Sequence, residues 1–207
     1  DGGKDPLAYF AKHPGRFPVW MPEKGKKADL MFVQHMLAVL VADGKLATVM
    51  PHGVLFRGNA EAEIRRNLVR KGYIKGIIGL PANLFYGTGI PACIVVVDKQ
   101  EARTRKGIFM IDASAGFMKD GPKNRLRAQD IHQIVDVFNK HLNVPKYSRM
   151  VSVEEIEKNE FNLNLPRYID STEPEDLHDI DAHLRGGIPE RDLDALADYW
   201  RELPGVR

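Results

Sequence analysis

The chain has 207 residues, of which 43% are hydrophobic and 28% charged, as is typical of a soluble globular domain. No apolar run approaches the roughly 18 residues of a membrane span, and nothing at the start resembles a signal peptide, so no membrane association is expected. The single cysteine, Cys93, excludes a disulfide framework and favours an intracellular, cytoplasmic protein.

The net charge of +2 hides an uneven distribution along the chain. Residues 1–150 carry 24 Lys and Arg against 13 Asp and Glu, whereas residues 151–207 carry 6 against 15. A basic body with an acidic tail fits a polyanionic partner for the body and a different partner for the tail. Unequal but solvated surfaces explain the same numbers.

The first segments alternate between helix and strand. Residues 1–27, interrupted by four prolines, predict a loop-like entry segment. Apolar residues at helical spacing predict a helix over Ala28–Asp43, with a stripe wide enough to be covered on more than one side. The run Lys45–Met50 predicts a strand, and Asn59 is a suitable N-cap for a helix that extends to about Lys71.

Two apolar runs rich in β-branched residues, Ile74–Leu80 and Ile90–Val97, are typical of buried strands. The connector of about nine residues is too short for a parallel crossover, so we expect the pair to be antiparallel. A right-handed crossover should place the strand at Lys45–Met50 parallel to Ile74–Leu80, adjacent or nearly so. This order of elements is half of an α/β sandwich.

The remainder of the chain predicts strands and helices in a less regular order. They are a strand at Ile108–Asp112, a glycine-containing loop at Ser114–Asn124, an amphipathic helix at Arg125–Leu142, a short helix at Val153–Asn159, a strand at Phe161–Tyr168 and a final helix at Pro189–Leu203. That final helix presents one apolar face, formed by Leu193, Leu196, Ala197 and Trp200.

The predicted strands do not complete a sheet. A doubly wound sheet needs several central parallel strands covered on both faces, but only two candidates precede the antiparallel strand. An uncovered apolar strand edge would promote aggregation. We therefore expect that an N-terminal half is missing, in agreement with an opening Asp-Gly-Gly that lacks a methionine. A small self-contained α/β domain is the alternative.

The loop between the two apolar runs carries the first candidate site. Phe85–Gly89 matches F-x-G-x-G, a glycine pattern of nucleotide and S-adenosylmethionine sites. Such a loop works by opening a helix, whereas here a strand follows, so we reject that interpretation. The loop is better suited to present Phe85 or Tyr86 to a planar partner by stacking. Ordinary packing of both rings is the competing explanation.

Other candidate residues carry weaker signals. The seven histidines and the lone cysteine form no metal-ligand spacing, so no metal site is expected. His52 follows the end of a strand, where open α/β sheets bind ligands, whereas His35 on an apolar helix is better explained as packing. Phosphates could be contacted by Arg57, Arg65, Arg66 and Lys75, although a solvated helix face explains these residues equally well.

Four segments together resemble the modification (M) subunit of type I restriction–modification systems. They are ADLMFVQHMLAVLVADGKLATVMPHGVLFRG, IRRNLVRKGYIKGIIGLPANLFYGTGIPACIVVVDK, FNLNLPRYID and HLRGGIPERDLDALADYW. The resemblance implies the C-terminal half of a Rossmann-like, S-adenosylmethionine-dependent methyltransferase sheet with an antiparallel terminal strand, plus a mostly helical C-terminal extension. It divides the chain into an entry segment (1–27), the second half of the methyltransferase α/β domain (28–124) and a helical C-terminal portion (125–207), acidic after residue 150.

The family implies a DNA-binding enzyme that transfers a methyl group from S-adenosylmethionine to the N6 amine of a flipped adenine in double-stranded DNA. Its partners are a specificity subunit, which determines the target sequence, and a restriction subunit for cleavage. By this resemblance the target-base pocket contains Phe85, Tyr86, Gly87, Thr88 and Pro91. The residues expected to lie near the cofactor are Asp29 and Phe32.

Two family hallmarks are absent from this sequence. It contains neither the glycine-rich S-adenosylmethionine loop nor the Asn-Pro-Pro-Phe motif that holds the adenine amine, and no Pro-Pro dipeptide occurs at all. No catalytic residue is therefore assigned, and we expect the isolated chain to be inactive. A non-catalytic DNA- or subunit-interaction module is the main alternative. A nicotinamide-dependent oxidoreductase is weaker, because no G-x-G-x-x-G opens a helix.

Overall fold

A five-stranded mixed sheet lies at the centre of the computed structural model, which describes residues 12–13, 15–19, 28–171 and 201. The chain forms two compact units, Asp1–Ser171 and Thr172–Arg207. The sheet and its helices belong to the first unit. The predicted helix at Pro189–Leu203 lies almost entirely outside the described residues, as does most of the entry segment.

The helices and strands have the following bounds. The helices are α1 (Asp29–Val39), α2 (Ala60–Arg70), α3 (Ala128–Lys140) and α4 (Val153–Lys158), with short 3-10 turns at His52–Leu55 and Leu165–Arg167. The strands are β1 (Lys45–Pro51), β2 (Ile74–Gly79), β3 (Ala92–Asp98), β4 (Gly107–Asp112), β5 (Met118–Asp120), β6 (Lys123–Arg125) and β7 (Ser148–Ser152).

The strand order in the main sheet is β1-β3-β2-β4-β7. β3 is antiparallel to both β1 and β2, which are therefore parallel to each other with one strand between them. β2 and β4 are parallel neighbours, and β7 closes the sheet antiparallel to β4. The mixed α/β class and the antiparallel β2–β3 pair are confirmed. β5 and β6 form a separate hairpin.

Alternate residues of the central strands enter two core clusters, because successive side chains of a strand point to opposite faces. Ile77 and Met110 belong to one cluster, and Ile78 and Ile111 to the other. The first includes residues of α1 and α2: Leu30, Val33, Leu37, Ile64 and Leu68. The second includes Ile134 and Val137 of α3. Both faces of the sheet centre are thus covered.

Helix α3 approaches the sheet closely at Gly76. A Cβ atom there would lie 2.4 Å from the ring of Phe138 and 2.9 Å from the carbonyl oxygen of Phe109. The absence of a side chain at this β2 position therefore gives the Phe138 ring its place against the sheet.

The edge strand β1 leaves one row of residues uncovered. Lys45, Ala47, Val49 and Pro51 alternate with more buried neighbours and are all exposed. Within the described residues no strand pairs with the outer side of β1. A long, largely apolar edge of this kind is a site where a further strand could add.

Two predictions differ from the structure, and one strand has no counterpart among the predicted elements. Phe161–Tyr168 is not a strand: Phe161 has φ +58°, Pro166 cannot donate a ladder hydrogen bond, and the alternating apolar residues enter the first core cluster instead. The predicted loop Ser114–Asn124 contains β5 and the start of β6. The Ser148–Ser152 strand was not predicted, because it is short and lacks clear alternation.

The ends of the first two helices also differ in detail. α1 ends at Val39 rather than Asp43, since Leu40 is already extended with ψ 129°. The Lys99 ammonium donates to the carbonyl oxygens of Leu37 and Leu40, both at 2.7 Å, and so satisfies the helix end. Asn59 occupies the N-cap position of α2 with φ +57°, but its side chain makes no capping hydrogen bond.

The Cys93 thiol gives a first testable prediction. It is fully buried in β3, and burial raises its pKa to about 12. An unfolded cysteine ionises near pH 8.5, so the folded state gains stability from the neutral thiol below that pH and loses it as the pH rises towards 12. We expect no reaction with an aromatic disulfide reagent at pH 8 in the folded chain, and one equivalent in urea. Stoichiometric labelling without urea would contradict the burial of this thiol.

No helix within the described ranges combines the length and apolar character needed to cross a bilayer.

Candidate functional site

The carboxyl ends of three parallel strands meet at one edge of the sheet. β1, β2 and β4 point the same way and end at Pro51, Gly79 and Asp112. The loop from Leu80 to Pro91 begins at this edge and connects β2 to β3. Open α/β sheets bind ligands outside the carboxyl ends of their strands, so a ligand site is expected at this edge.

An open, mainly apolar groove of about 220 Å³ lies between the end of β1 and this loop. Its lining residues are Val49, Met50, Pro51, Phe85, Thr88, Ile90, Pro91 and Ala92. Phe85 is 43% exposed and contributes its ring to the lining. Tyr86 is 91% exposed and, like Gly87, is not among the lining residues. The groove therefore brings together three of the five residues predicted for a target-base pocket and leaves two at the loop surface.

The tip of the loop depends on glycine. Gly87 has φ +77°, a left-handed conformation that an L side chain rarely adopts, and open space surrounds its Cα. The Thr88 hydroxyl accepts a hydrogen bond from the Ile90 N–H at 3.1 Å. At the base of the loop the Leu80 N–H donates to the Ala92 carbonyl at 2.9 Å. The loop is thus built as a turn, and it opens no helix.

The β5–β6 hairpin contacts this loop from outside the main sheet. The Lys123 ammonium donates to the carbonyl oxygens of Phe85 at 2.7 Å and Thr88 at 3.1 Å. Asn124 donates through its side-chain amide to Ala82 at 2.7 Å and through its backbone N–H to Asn83 at 2.9 Å. No local sequence pattern singles out Lys123 or Asn124 as part of the site. The Gly-Pro pair between β5 and β6 is a turn signal that could have revealed the hairpin.

His52 joins the end of β1 to the same loop. Its backbone N–H donates to the Pro91 carbonyl oxygen at 3.1 Å, and its ring lies edge-on to Phe56 with centroids 6.1 Å apart. Burial lowers the pKa of His52, although the Asp112 carboxylate opposes that shift. A neutral imidazole at pH 7 follows, and His52 is not among the residues that line the groove.

Arg57 and Asp29, for which the sequence predicts different roles, form an ion pair with each other. Arg57, predicted to contact DNA phosphates, lies 3.1 Å from Asp29 and 3.0 Å from Glu61. Asp29, predicted to lie near the cofactor, is in the first turn of α1, where a carboxylate suits the helix dipole. Phe32 follows one turn later on α1 and is 61% exposed. The ion pair neutralises Arg57, while the Phe32 ring remains accessible.

Arg65 has a structural environment that corrects its assignment as a phosphate contact. It is only 4% exposed, and its guanidinium donates to the carbonyl oxygens of Val54 at 3.1 Å, Arg57 at 2.5 Å and Phe161 at 3.4 Å. Burial lowers its pKa, with the Glu61 carboxylate acting in the opposite direction. Contact with a phosphate would require Arg65 to abandon these carbonyls, so we assign it to the core.

Arg66 and Lys75 lie in different places. Arg66 is exposed, with its guanidinium 5.5 Å from the ring centroid of Phe161. Lys75 is near the amino end of β2, at the opposite edge of the sheet from the groove, and its ammonium lies 3.6 Å from Asp98. Phosphate contact by either residue stays a prediction.

The Asp98 carboxylate beside Lys75 is buried and faces several cations. Burial alone would raise the pKa of Asp98, but the hydrogen bond from the Gln100 N–H and three nearby cations outweigh that effect and lower it. The cations are Lys45, Lys75 and Arg105. Lys75 therefore already has a carboxylate to neutralise. Among the described residues no group of three or more His, Cys, Asp or Glu is arranged to hold a metal ion.

Comparison with known proteins places these features in a family. The family model described as N-6 DNA Methylase matches residues 10–177. The MjaVII methylase subunit of a type I restriction enzyme from Methanocaldococcus jannaschii is 39% identical over 163 residues, covering 77% of this chain and 28% of that protein. The MpnII methylase subunit from Mycoplasma pneumoniae is 32% identical over 177 residues, covering 86% of this chain and 31% of that protein.

A solved structure shares the fold. It is the type I restriction–modification methyltransferase subunit from Streptococcus thermophilus, which is 40% identical and superposes with a TM-score of 0.72. The match covers 79% of this chain and 35% of the solved one. The chain thus spans less than a third of the length of the two curated relatives and about a third of the solved subunit.

Proposed function

The chain belongs to the N-6 DNA methylase family, and from that membership we propose that it forms the target-base side of a DNA adenine methyltransferase. The complete protein would be the modification subunit of a type I restriction–modification complex and would methylate the N6 amine of a flipped adenine. The observation that carries this proposal is the apolar groove bordered by Phe85 at the carboxyl edge of the sheet.

The groove suits a flat, apolar base face. An enzyme that modifies a base inside a duplex must extrude it, and the lost stacking is replaced by contact with aromatic or apolar side chains. Phe85 lines the groove together with Pro51 and Pro91, whereas Tyr86 is 91% exposed and is not a lining residue. We therefore assign the stacking ring to Phe85, place Thr88 beside it in the pocket lining, and place Tyr86 and Gly87 at the rim of the pocket.

The methyl donor fits the neighbouring part of the same edge. S-adenosylmethionine carries an electrophilic methyl group on a sulfonium centre and supplies it when bound. The exposed ring of Phe32 can cover a purine face. Asp29 can accept a hydrogen bond from a hydroxyl group at Oδ1, since Arg57 contacts its Oδ2. These two residues cover one side of the cofactor. The groups that hold the adenine amine are not found in this sequence.

The exposed row of β1 offers a place for the rest of the catalytic domain. A strand added along the free edge would cover the backbone of β1, and a helix behind it would cover Ala47, while Val49 would still line the groove. We propose that the remainder of the methyltransferase sheet joins here. The catalytic wall of the base pocket would then face Phe85 across the groove.

Partners follow from charge as well as family. The basic residues before position 150 suit the backbone of double-stranded DNA, with Arg66 the most accessible of the four predicted phosphate contacts. We propose that the acidic C-terminal portion, through the segment Pro189–Leu203 for which the sequence predicts a helix, docks to the specificity subunit of a cytoplasmic complex that also contains a restriction subunit. The three-part division at residues 27/28 and 124/125 is proposed on the same basis.

Methyl transfer by the complete subunit tests the proposal. The subunit, assembled with its specificity subunit, should move tritium from labelled S-adenosylmethionine into DNA from methylation-deficient cells, with the label recovered as N6-methyladenine. The 207-residue chain alone should transfer none, because the Asn-Pro-Pro-Phe motif that holds the adenine amine does not occur in it. Failure of the assembled complex would overturn the proposed reaction and favour an interaction module. N6-methyladenine formed by the isolated chain would show that the catalytic groups lie within it.

A further inference from the structure

The backbone of the loop from Leu80 to Pro91 accepts four hydrogen bonds from the neighbouring β5–β6 hairpin. Lys123 bridges the carbonyl oxygens of Phe85 and Thr88, the residues on either side of the turn at Tyr86-Gly87. Asn124 holds the start of the loop through the carbonyl oxygens of Ala82 and Asn83. All four acceptors belong to the loop, and the three donor groups, of which the Lys123 ammonium makes two bonds, belong to two consecutive residues of β6.

The loop has few other restraints at its tip. In the part of the chain that the structure describes, no backbone hydrogen bond joins Phe85 to Thr88, so the ammonium of Lys123 closes this turn. The bond from the Asn83 N–H to the Gly89 carbonyl is long, at 3.4 Å. An ammonium shared by two carbonyls makes charge-assisted hydrogen bonds, which are stronger than neutral ones. The hairpin therefore contributes much of the order of the turn.

The hairpin is itself well fixed. Its two-residue turn begins at Gly121 with φ +59°, and the strands pair over Met118–Asp120 and Lys123–Arg125. An ion pair between Asp120 and Arg125 at 3.1 Å spans the two strands. Asn124 is only 6% exposed, so its amide has a fixed direction towards the loop. Through this buried residue the hairpin is anchored to the loop and can hold a ring in place.

We propose that Lys123 and Asn124 are positioning residues that hold the Phe85 ring against the groove. The inference rests on the proposed function, because it assigns the ring a base to stack on. Neither side chain touches the base: each acts on loop carbonyls, and the position of the ring follows from the backbone. A flexible loop would have to become ordered whenever a base entered. The hydrogen bonds of Lys123 and Asn124 to the loop, which together form a clamp, therefore lower the entropic cost of binding an extruded base.

Matched lysine variants test the clamp in the complete subunit. K123M keeps most of the side-chain length and removes the ammonium. K119M makes the same change on the partner strand, where Lys119 lies over the Phe117 ring, 5.5 Å from its centroid. K123R restores a donor to both carbonyls. N124A removes the side-chain bond to Ala82 independently of Lys123.

The first measurement is hydrogen exchange of the loop peptide without DNA. We expect exchange over residues 82–90 to be about tenfold faster in K123M, near the wild-type rate in K119M and intermediate in K123R. N124A should accelerate the first half of the loop most. Unchanged exchange in K123M would overturn the clamp, even if DNA binding fell, because a phosphate contact would act only with DNA present.

The second measurement reports on the ring. A 5-iodouracil in place of the adenine methylated by the wild-type complex should cross-link under light to Phe85, and K123M should reduce the yield about fivefold in step with its faster exchange. Faster exchange with an unchanged yield would overturn the positioning role. A wild-type complex that gives no cross-link to the loop, while K123M still accelerates exchange, would place the failure in the proposed function.

Discussion

Replacing Arg65 with methionine is expected to lower the free energy of unfolding by about 3–5 kcal/mol, a large part of the total for a domain of this size. The guanidinium donates to carbonyl oxygens of Val54, Arg57 and Phe161, and so joins two segments that are distant in the sequence. Methionine fills the space of the aliphatic stem and leaves these acceptors buried without a donor. The segment that contains Phe161 then loses its hydrogen bond to Arg65 of α2, a residue 96 positions earlier in the sequence.

The adjacent arginine on the same helix provides the control. Arg66 is exposed and, among the described residues, its guanidinium makes a cation–π contact with Phe161, so R66M should cost about 1 kcal/mol or less. Urea unfolding followed by circular dichroism measures both variants, and a filter assay measures their affinity for duplex DNA. A phosphate-binding Arg65 would give the reverse pattern, with an unchanged urea midpoint in R65M and a weaker, less salt-dependent DNA affinity.

The central elements of the fold could be predicted because their signals are local. The strand pair at Ile74–Leu80 and Ile90–Val97 carries dense β-branched residues, and the short connector determines its direction. The apolar period of α3 is equally clear. Phe161–Tyr168 shows the limit of such patterns. Its alternation is that of a strand, yet the positive φ at Phe161 and the ring of Pro166 prevent a ladder.

The candidate site could be predicted only in part, because its supporting contacts join distant segments. The loop with Phe85 stands out from its composition alone. Its clamp by Lys123 joins residues 38 apart, and the ion pair of Arg57 with Asp29 joins residues 28 apart. Nothing in the local sequence separates a lysine that supports a loop from one that contacts a phosphate. The groove likewise depends on the proximity of β1 to the loop.

Replacing Phe85 with alanine is expected to lower kcat/KM for DNA about 10–100-fold in the complete methylase subunit. Stacking of a base on an aromatic ring contributes about 1–3 kcal/mol, and the extruded base has no other aromatic lining residue in the groove described here. Y86A should lower kcat/KM about fivefold or less, because Tyr86 is 91% exposed and does not line the groove. Steady-state kinetics with labelled S-adenosylmethionine measure both variants.

A mismatched target base separates stacking from other effects of the Phe85 change. A mismatch lowers the cost of extruding the base, so the F85A variant should recover part of its lost kcat/KM on mismatched DNA. F85Y, which keeps the ring, should need no such help. A larger loss in Y86A than in F85A would transfer the stacking role to Tyr86. Equal, small losses in both variants would remove the groove from base recognition altogether. An F85A defect that the mismatch does not relieve would point to a role for Phe85 in loop folding, which the exchange experiment on Lys123 measures independently.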